Sequence, residues 1–549
     1  LCGLALLGSM LPVDSAAGEA NDPGLQGGTT SWMPLIFGAQ RVVERPIYGV
    51  NFISSPEDPA DAQQYQNGLS SGATFNRWPM YWHSIEQNAG VFDWSRVDPV
   101  VSSDLSKGLK INAILLGTPG VYATDTGPSR DVGRPLQYGP YQLTAVQAAT
   151  PVGLYSSVFD DGSDTPGPGK TINPENVWAR FVYLAVSRYR PGGIRAQAEH
   201  WPVGQGIRHW EMWNEPDLPW FWDSSLEDYA RLLKVGYLAA KQADPEATVL
   251  FGALANNFER LGYYDDVLKI YDKDPLAPGK AYFHDILATH SYFYAWQSWY
   301  HVYRALGTME SHGLDKPIWL NENGVPAWDD YPGPVWDPSS PLRATMAEQA
   351  NYVIQSAFYA TFAGADAVFH FQLYDGCGNQ PQGSDFPPHN GELCSVLDVC
   401  AGDAHGLFRN PTDAACFTQH PQPESARPNL AAFQVLTTYF TGVEPLWRLR
   451  PGSSDPYNGP QEWIAFYRPA SHERIVGLWA RFGDDQVANL KAVAAQALAV
   501  YPDGSHQIIY PTGGSYRIEL PGATNQNAPW DPTLYAIGGR PVIVIEKMG

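Results

Sequence analysis

A chain of 549 residues exceeds one ordinary compact domain, so two or three domains, or one large barrel with a small companion, are expected. Hydrophobic residues at 44%, aromatics at 13% and charged residues at only 17% supply a core and exclude a largely disordered chain. The net charge of −22, with no dense Lys/Arg cluster to reverse it locally, would repel a polyanion, which excludes nucleic acid as a partner; the acidity is read as solubility.

Residues 1–29 are read as a signal-peptide remnant and linker. The opening "LCGLALLGSMLPVDSAAGEA" has an apolar run followed by Ser-Ala-Ala, with a cleavage point expected near Ala16 or Ala17 and Cys2 as an alternative lipid-anchor residue. The run is too short to span a bilayer, no other run reaches that length, and a secreted or extracellular location is expected, with a periplasmic or lipid-anchored one as alternatives.

From residue 46 onward, short β-branched or aromatic runs alternate with longer helical patterns, which predicts parallel strands with helical crossovers. The runs are "IYGVNF" from 47, "ATFNRW" from 73, "KINAILLG" from 110, "IRHWEMW" from 207, "ATVLFGAL" from 247, "DILATHSY" from 285, "PIWLNEN" from 317 and "DAVFHFQL" from 366. Eight such units predict an α/β fold, a closed (β/α)8 TIM barrel over residues 30–441, with residues 30–45 either part of it or paired with the domain that follows. Helix starts are expected at Asn173-Pro174, at Ser225 to Asp228 and at Pro341, and "NLAAFQVLTTYFTG" is read as the last barrel helix.

Three insertions, at about 119–171, 323–340 and 374–428, follow strands and so belong to the carboxyl-end face, where such barrels work. The third holds Cys377, Cys394, Cys400 and Cys416, read as two disulfides with nearest neighbours paired. Zinc is the rival reading, though no C-x-x-C pair occurs. Residues 442–549 switch to period-two alternation broken by Gly, Pro and Asp, as in "EWIAFYRP", "RIVGLWARF", "SYRIEL" and "RPVIVIEK", which predicts an antiparallel β-sandwich.

Glu215 ends the fourth run and Glu322 the seventh, so both are expected in the mouth of the barrel, facing each other across its axis. Two opposed carboxylates are the equipment for breaking a glycosidic bond, one protonating the leaving oxygen while the other attacks or activates water. The motifs "WNEP" and "WLNENG" resemble the acid/base and nucleophile motifs of clan A glycoside hydrolases, the retaining barrel enzymes. Their spacing, "GATFNRWPMYWHSIEQNAGVFDWSRVD" after the second strand, "THSY" on the sixth and the carboxyl-terminal β domain are most like glycoside hydrolase family 39, with family 5 as a relative. Family 1 places its glutamates much further apart and has an amino-terminal motif missing here.

The resemblance implies Glu215 as general acid/base, Glu322 as nucleophile and Asn214 as partner of the sugar 2-hydroxyl. It further implies Arg77 bound to the nucleophile and His290 with Tyr292 beside it. Many clan members carry a tryptophan under the reactive sugar at the end of strand eight, but this chain has "FHFQLYD" there. Burial and the opposing charge are expected to raise the Glu215 pKa, while Arg77 lowers that of Glu322. Glu211, two residues before Trp213 on the same strand, is read as structural.

The aromatic clusters around Trp213, Trp220 and Trp222 and around Trp296 are read as sugar-packing surfaces, with ordinary core packing as the alternative for any one ring. Asp329, Asp330 and Asp337 are candidate calcium ligands, whereas Asp125 and Asp131 lack the ordered spacing of a calcium loop and are read as solvated turn residues; the expected chemistry requires neither a metal nor a cofactor. The expected function is a secreted hydrolase of β-glycosidic bonds in polysaccharides or oligosaccharides, acting by double displacement on a carbohydrate partner. The alternative is a non-catalytic carbohydrate-binding or scaffold protein built on the same fold.

Overall fold

The computed structural model describes residues 45–123, 143, 144, 146–256, 258–330, 344–375, 404–411, 421–452, 458–526 and 534–548. All five cysteines, residues 1–44, Asp125, Asp131 and Asp337 lie outside these, and with them the expectations for disulfides, for the leader and for residues 30–44.

Eight parallel strands close into a barrel in chain order: β1 (Ile47–Asn51), β2 (Phe75–Tyr81), β3 (Lys110–Leu116), β4 (His209–Asn214), β5 (Thr248–Leu254), β6 (Ile286–Tyr292), β7 (Ile318–Gly324) and β8 (Ala365–His370). Every predicted run forms its strand. The runs are apolar nearly throughout because both faces are covered, the inner by the barrel and the outer by helices. Phe75, Leu250, Trp319 and Phe369 fill the lower interior. β1 closes on β8 with Gly49 opposite Phe369, where a Cβ would meet the ring at 2.7 Å, so only glycine fits.

The helices are α1 (Ala62–Ser70), α2 (Trp82–Ile85), α3 (Val97–Ser106), α4 (Val177–Tyr189), α5 (Ile194–Ala198), α6 (Leu226–Ala243), α7 (Tyr263–Tyr271), α8 (Gln297–Ser311), α9 (Met346–Ala363) and α10 (Pro428–Tyr439). α6 begins at the expected capping box of Ser225 and Asp228. Two starts differ from expectation. Asn176, not Asn173, caps α4 by accepting from the Ala179 amide at 3.1 Å, while Asn173 closes the turn before it on the Glu175 amide. α9 starts at Thr345, whose reciprocal box with Glu348 satisfies two amide donors that Pro341 could not serve.

The carboxyl-terminal region is antiparallel throughout. Its strands are β9 (Glu444–Leu449), β10 (Gln461–Arg468), β11 (Glu473–Ala480), β12 (Gln486–Lys491), β13 (Ala497–Val500), β14 (His506–Ile509), β15 (Ser515–Leu520) and β16 (Val542–Lys547). Six form a sheet in the order β14-β13-β16-β11-β10-β9, and β12 pairs with β15 in a second sheet. The period-two pattern divides each central strand between two cores. On β11, Val476, Leu478 and Ala480 pack with Leu490, Tyr516 and Leu520 of the small sheet. Ile475 and Trp479 on its other face join the barrel core. That second face lies on α9, where Phe358 stacks on Phe440 at 4.0 Å and meets Phe466 and Trp479 edge-on. Among the described residues no helix is long and apolar enough to cross a membrane.

Candidate active site

The end of β4 shows how the backbone aims its side chains. Trp213 has φ +77° and Glu215 φ +43°, left-handed conformations that cost non-glycine residues energy and cluster at functional sites. The break in alternation turns Trp213 outward: its Nε1 donates to the Phe221 carbonyl at 2.7 Å, and its ring meets Trp222 and Trp178 edge-on. Asn214 and Glu215, though adjacent in sequence, both face the barrel mouth. β7 does the same with Asn321 and Glu322, beside an irregularity in its pairing with β6 at His290.

Arg77 joins these strands from β2. Its Nε and Nη2 donate to the two oxygens of Glu211 at 2.9 and 2.8 Å, its Nη2 also to Asn214 Oδ1 at 2.8 Å, and its Nη1 to Asn51 Oδ1 at 3.0 Å and to Glu322 Oε1. Glu211 accepts in addition from Asn321 Nδ2 at 2.9 Å and the Ala253 amide at 3.1 Å, consistent with its reading as structural. Glu322 Oε2 accepts from the Tyr292 hydroxyl. His290 Nδ1 sits between the two glutamates, 2.7 Å from Glu215 Oε1 and 3.4 Å from Glu322 Oε2. One carboxylate oxygen from each glutamate and one His290 ring nitrogen lie within 4.8 Å of one another.

The two carboxyls experience opposite fields. Burial pushes the Glu215 pKa up, and the charges of Glu322 and Asp217 add to it; contact with His290 pulls the other way without prevailing. Burial also presses upward on Glu322, but His290, Arg77 and the Tyr292 hydroxyl outweigh it and hold that carboxyl below the usual range. Burial works against a charge on His290, yet Glu322 and Glu215 raise its pKa. The site thus favours one protonated and one ionised carboxyl, as the two motifs lead one to expect.

The predicted binding residues separate into two groups. Arg77, Asn214, His290 and Tyr292 converge on the glutamates. Trp213 and Trp222 do not, which corrects their placement as cleft residues: both are fully buried between β4 and the helix layer, Trp222 with its Nε1 on the Ser225 carbonyl. Trp220 is half-buried, and Trp296 is exposed at the start of α8 against Tyr294 and Tyr300. Asp330, a candidate calcium ligand in the sequence, is buried and accepts from Arg409 Nε and Arg427 Nε at 2.7 and 2.9 Å.

After β8 the peptide between Phe371 and Gln372 is cis, and the Phe371 ring lies edge-on to Phe52, Tyr292 and His405. Phe371 thus stands beside Tyr292, whose hydroxyl donates to Glu322. Asn51, Asn321 and His405 carry no sequence motif that marks them; the position of Asn51 at the carboxyl end of β1, near the level at which Glu215 follows β4 and Glu322 lies on β7, is the one signal that could flag it.

No family model matches the chain, and no curated protein matches it. Solved structures do, at low identity. A family 39 glycoside hydrolase from Bacteroides cellulosilyticus aligns with a TM-score of 0.54 at 15% identity over 91% of this chain and 80% of its own. A family 51 α-L-arabinofuranosidase from Bifidobacterium longum gives 0.50 at 12% over 92% and 96%. A family 30 endoxylanase from Clostridium papyrosolvens gives 0.50 at 10% over 92% and 97%. The fold is that of the clan A glycoside hydrolases, family 39 among them.

Proposed function

We propose that the protein is a retaining glycoside hydrolase that cleaves β-glycosidic bonds by double displacement. The observation that carries the reading is the approach of Glu215 and Glu322, whose nearest oxygens lie within 4.8 Å. Retaining enzymes hold their carboxyls about 5 to 5.5 Å apart, whereas inverting ones leave about 6.5 to 9.5 Å for an intervening water. Glu215, kept protonated by burial, gives its proton to the leaving oxygen as Glu322, kept ionised, attacks the anomeric carbon. Glu215 then takes a proton from the water that releases the sugar. Arg77 and Tyr292 each donate to one oxygen of Glu322 and fix its orientation. Asn214, held by Arg77, stands where a sugar hydroxyl would meet it. Export is part of the proposal and rests on the apolar opening run and the clustered cysteines.

The test is turnover of a panel of aryl β-glycosides, with the product anomer followed by proton NMR. Wild type is expected to release the β-anomer first, and Glu322→Ala to abolish turnover. Glu215→Gln is expected to lose about 10²- to 10⁴-fold on substrates with poor leaving groups and less on activated ones, as expected when a general acid is removed. Saccharide binding without turnover on any sugar would instead favour a carbohydrate-binding scaffold.

A further inference from the structure

The outer face of α8 departs from what a barrel helix ordinarily shows to solvent, which is a polar stripe. α6 follows that rule: its positions that are not fully buried include Glu227, Asp228, Arg231, Lys234, Lys241 and Gln242. On α8 the outward stripe is Trp296 at the cap, then Tyr300 and Tyr303, which are 37%, 36% and 56% exposed. Among the described residues only Tyr155, Phe258 and Tyr510 are aromatic rings exposed to a similar or greater degree, and all three lie outside α8.

The rings of the stripe are held in place. Trp296 lies against both Tyr294 and Tyr300, with centroids 6.1 and 6.3 Å away, and the Arg304 guanidinium lies 5.5 Å from the Tyr300 centroid. Trp299 stacks on Tyr303 at 4.9 Å and 12°, and lies 5.0 Å from the Arg448 guanidinium of β9. Rings fixed beforehand lose little freedom when a ligand lands on them. The stripe also continues from the candidate active site. Tyr292, whose hydroxyl donates to Glu322, ends β6, its ring lies 5.9 Å from that of Phe293, and Tyr294 and Trp296 follow before α8 begins. Trp296 therefore stands at the carboxyl-end face of the barrel, and Tyr303 about 10 Å further along the helix axis.

The chemistry of the stripe indicates what lands on it. Three rings exposed to this degree offer on the order of 300 Å², well short of the roughly 800 Å² per partner of a stable protein interface. Gly307, the next position along the stripe, adds no side chain. Sugar rings present C–H faces that pack on aromatic planes and hydroxyls that pair with tyrosine hydroxyls, and each needs only one ring of area. The net charge of −22 opposes an acidic glycan.

We propose that the outer face of α8 is a non-catalytic binding surface for a neutral saccharide chain, with Trp296, Tyr300 and Tyr303 as successive platforms leading toward the barrel mouth. The choice of ligand rests on the carbohydrate reading of the site.

The test is native electrophoresis of the Glu322→Ala chain, which leaves the polymer intact, through gels containing hydroxyethyl cellulose, linear xylan or glucomannan. Retardation by at least one polymer is expected. Adding Tyr300→Ala and Tyr303→Ala together is expected to weaken it about tenfold, as the loss of two stacking contacts. Tyr303→Ala alone should give part of that loss, and Tyr510→Ala, an exposed ring off the stripe, none. With Glu322 intact, the double variant should turn over small aryl β-glycosides as the wild type does, since these do not reach α8. Mobility unaffected by every polymer, or retardation undiminished in the double variant, overturns the proposal. So does light scattering that shows a dimer dissociated by the same substitutions, which would make the face a subunit contact. Failure of the hydrolase reading shows separately, as a wild type inert on every aryl glycoside, and leaves the retardation measurable.

Discussion

Arg77 is fully buried and serves Glu211, Asn214, Asn51 and Glu322 at once. Only a planar guanidinium reaches so many acceptors, so Arg77→Lys is not a conservative change. Arg77→Met strands two carboxylates in a dry interior and is expected to destabilise the fold by about 3 to 5 kcal/mol, read as a lower urea midpoint. Activity should fall in both variants, because Glu322 loses the charge that keeps it ionised. The same fields set the pH profile of kcat/KM. Glu322 must be ionised, so activity appears as pH rises through its lowered pKa; Glu215 must be protonated, so activity is lost as pH rises through its raised pKa. The Asp217 charge contributes to that rise, and Asp217→Asn keeps the acceptor for the Ala255 amide while removing the charge. The alkaline limb is expected to move toward acid in Asp217→Asn and to disappear in Glu215→Gln. A limb unmoved by both variants would mean that another group is the acid.

At the scale of elements, the start of α9 does more than cap a helix. Glu348 returns a bond to the Thr345 amide at 2.8 Å, and it also accepts from Thr524 Oγ1 at 2.6 Å and Asn525 Nδ2 at 2.9 Å in the β domain. Thr345→Ala removes a single cap, worth about 1 kcal/mol. Glu348→Ala leaves buried donors unserved as well and is expected to cost at least twice as much by chemical denaturation; equal losses would show that the inter-domain bonds contribute nothing. The barrel strands could be read from sequence because a short, continuous apolar run between two helical patterns fits a strand covered on both faces and little else. The positions of Glu215 and Glu322 could be read because a carboxylate at such a strand end needs a reason. The orientation of Trp213 could not. Strict alternation puts it on the same face as Glu211 and Glu215, and only the left-handed backbone at Trp213 sends the ring outward. The role of Asn51 was hidden for a different reason, since it donates to the carbonyls of Asn321 and His370 and its partners are hundreds of residues away.

For the whole molecule, the central question is whether barrel and β domain are separable. Predicted from a change in sequence periodicity, the boundary near residue 441 is a boundary of pattern rather than of core. Ile464, Phe466, Ile475, Trp479, Ile543 and Ile545 belong to the same contiguous apolar cluster as the barrel helices. A Cβ on Gly477 would strike the Phe358 ring at 2.5 Å, so the sheet approaches α9 as closely as backbone allows. Beside this contact, Glu462 is buried and accepts from Arg448, Arg450 and the Tyr359 hydroxyl of α9. Burial pushes its carboxyl up, but Arg448 and Arg450 overcome that and hold it at about 2. A carboxyl depressed in the folded state contributes stability above its unfolded pKa and loses it as pH falls toward about 2, so this interface should weaken progressively in acid. Phe358→Ala opens a cavity shared by both domains and is expected to cost about 3 to 5 kcal/mol. Because the core is common, calorimetry at neutral pH should show one endotherm for the wild type and one, shifted down as a whole, for the variant. A variant trace that splits, with the sheet melting ahead of an unshifted barrel, would show that the two fold independently and that the contiguous core does not couple them.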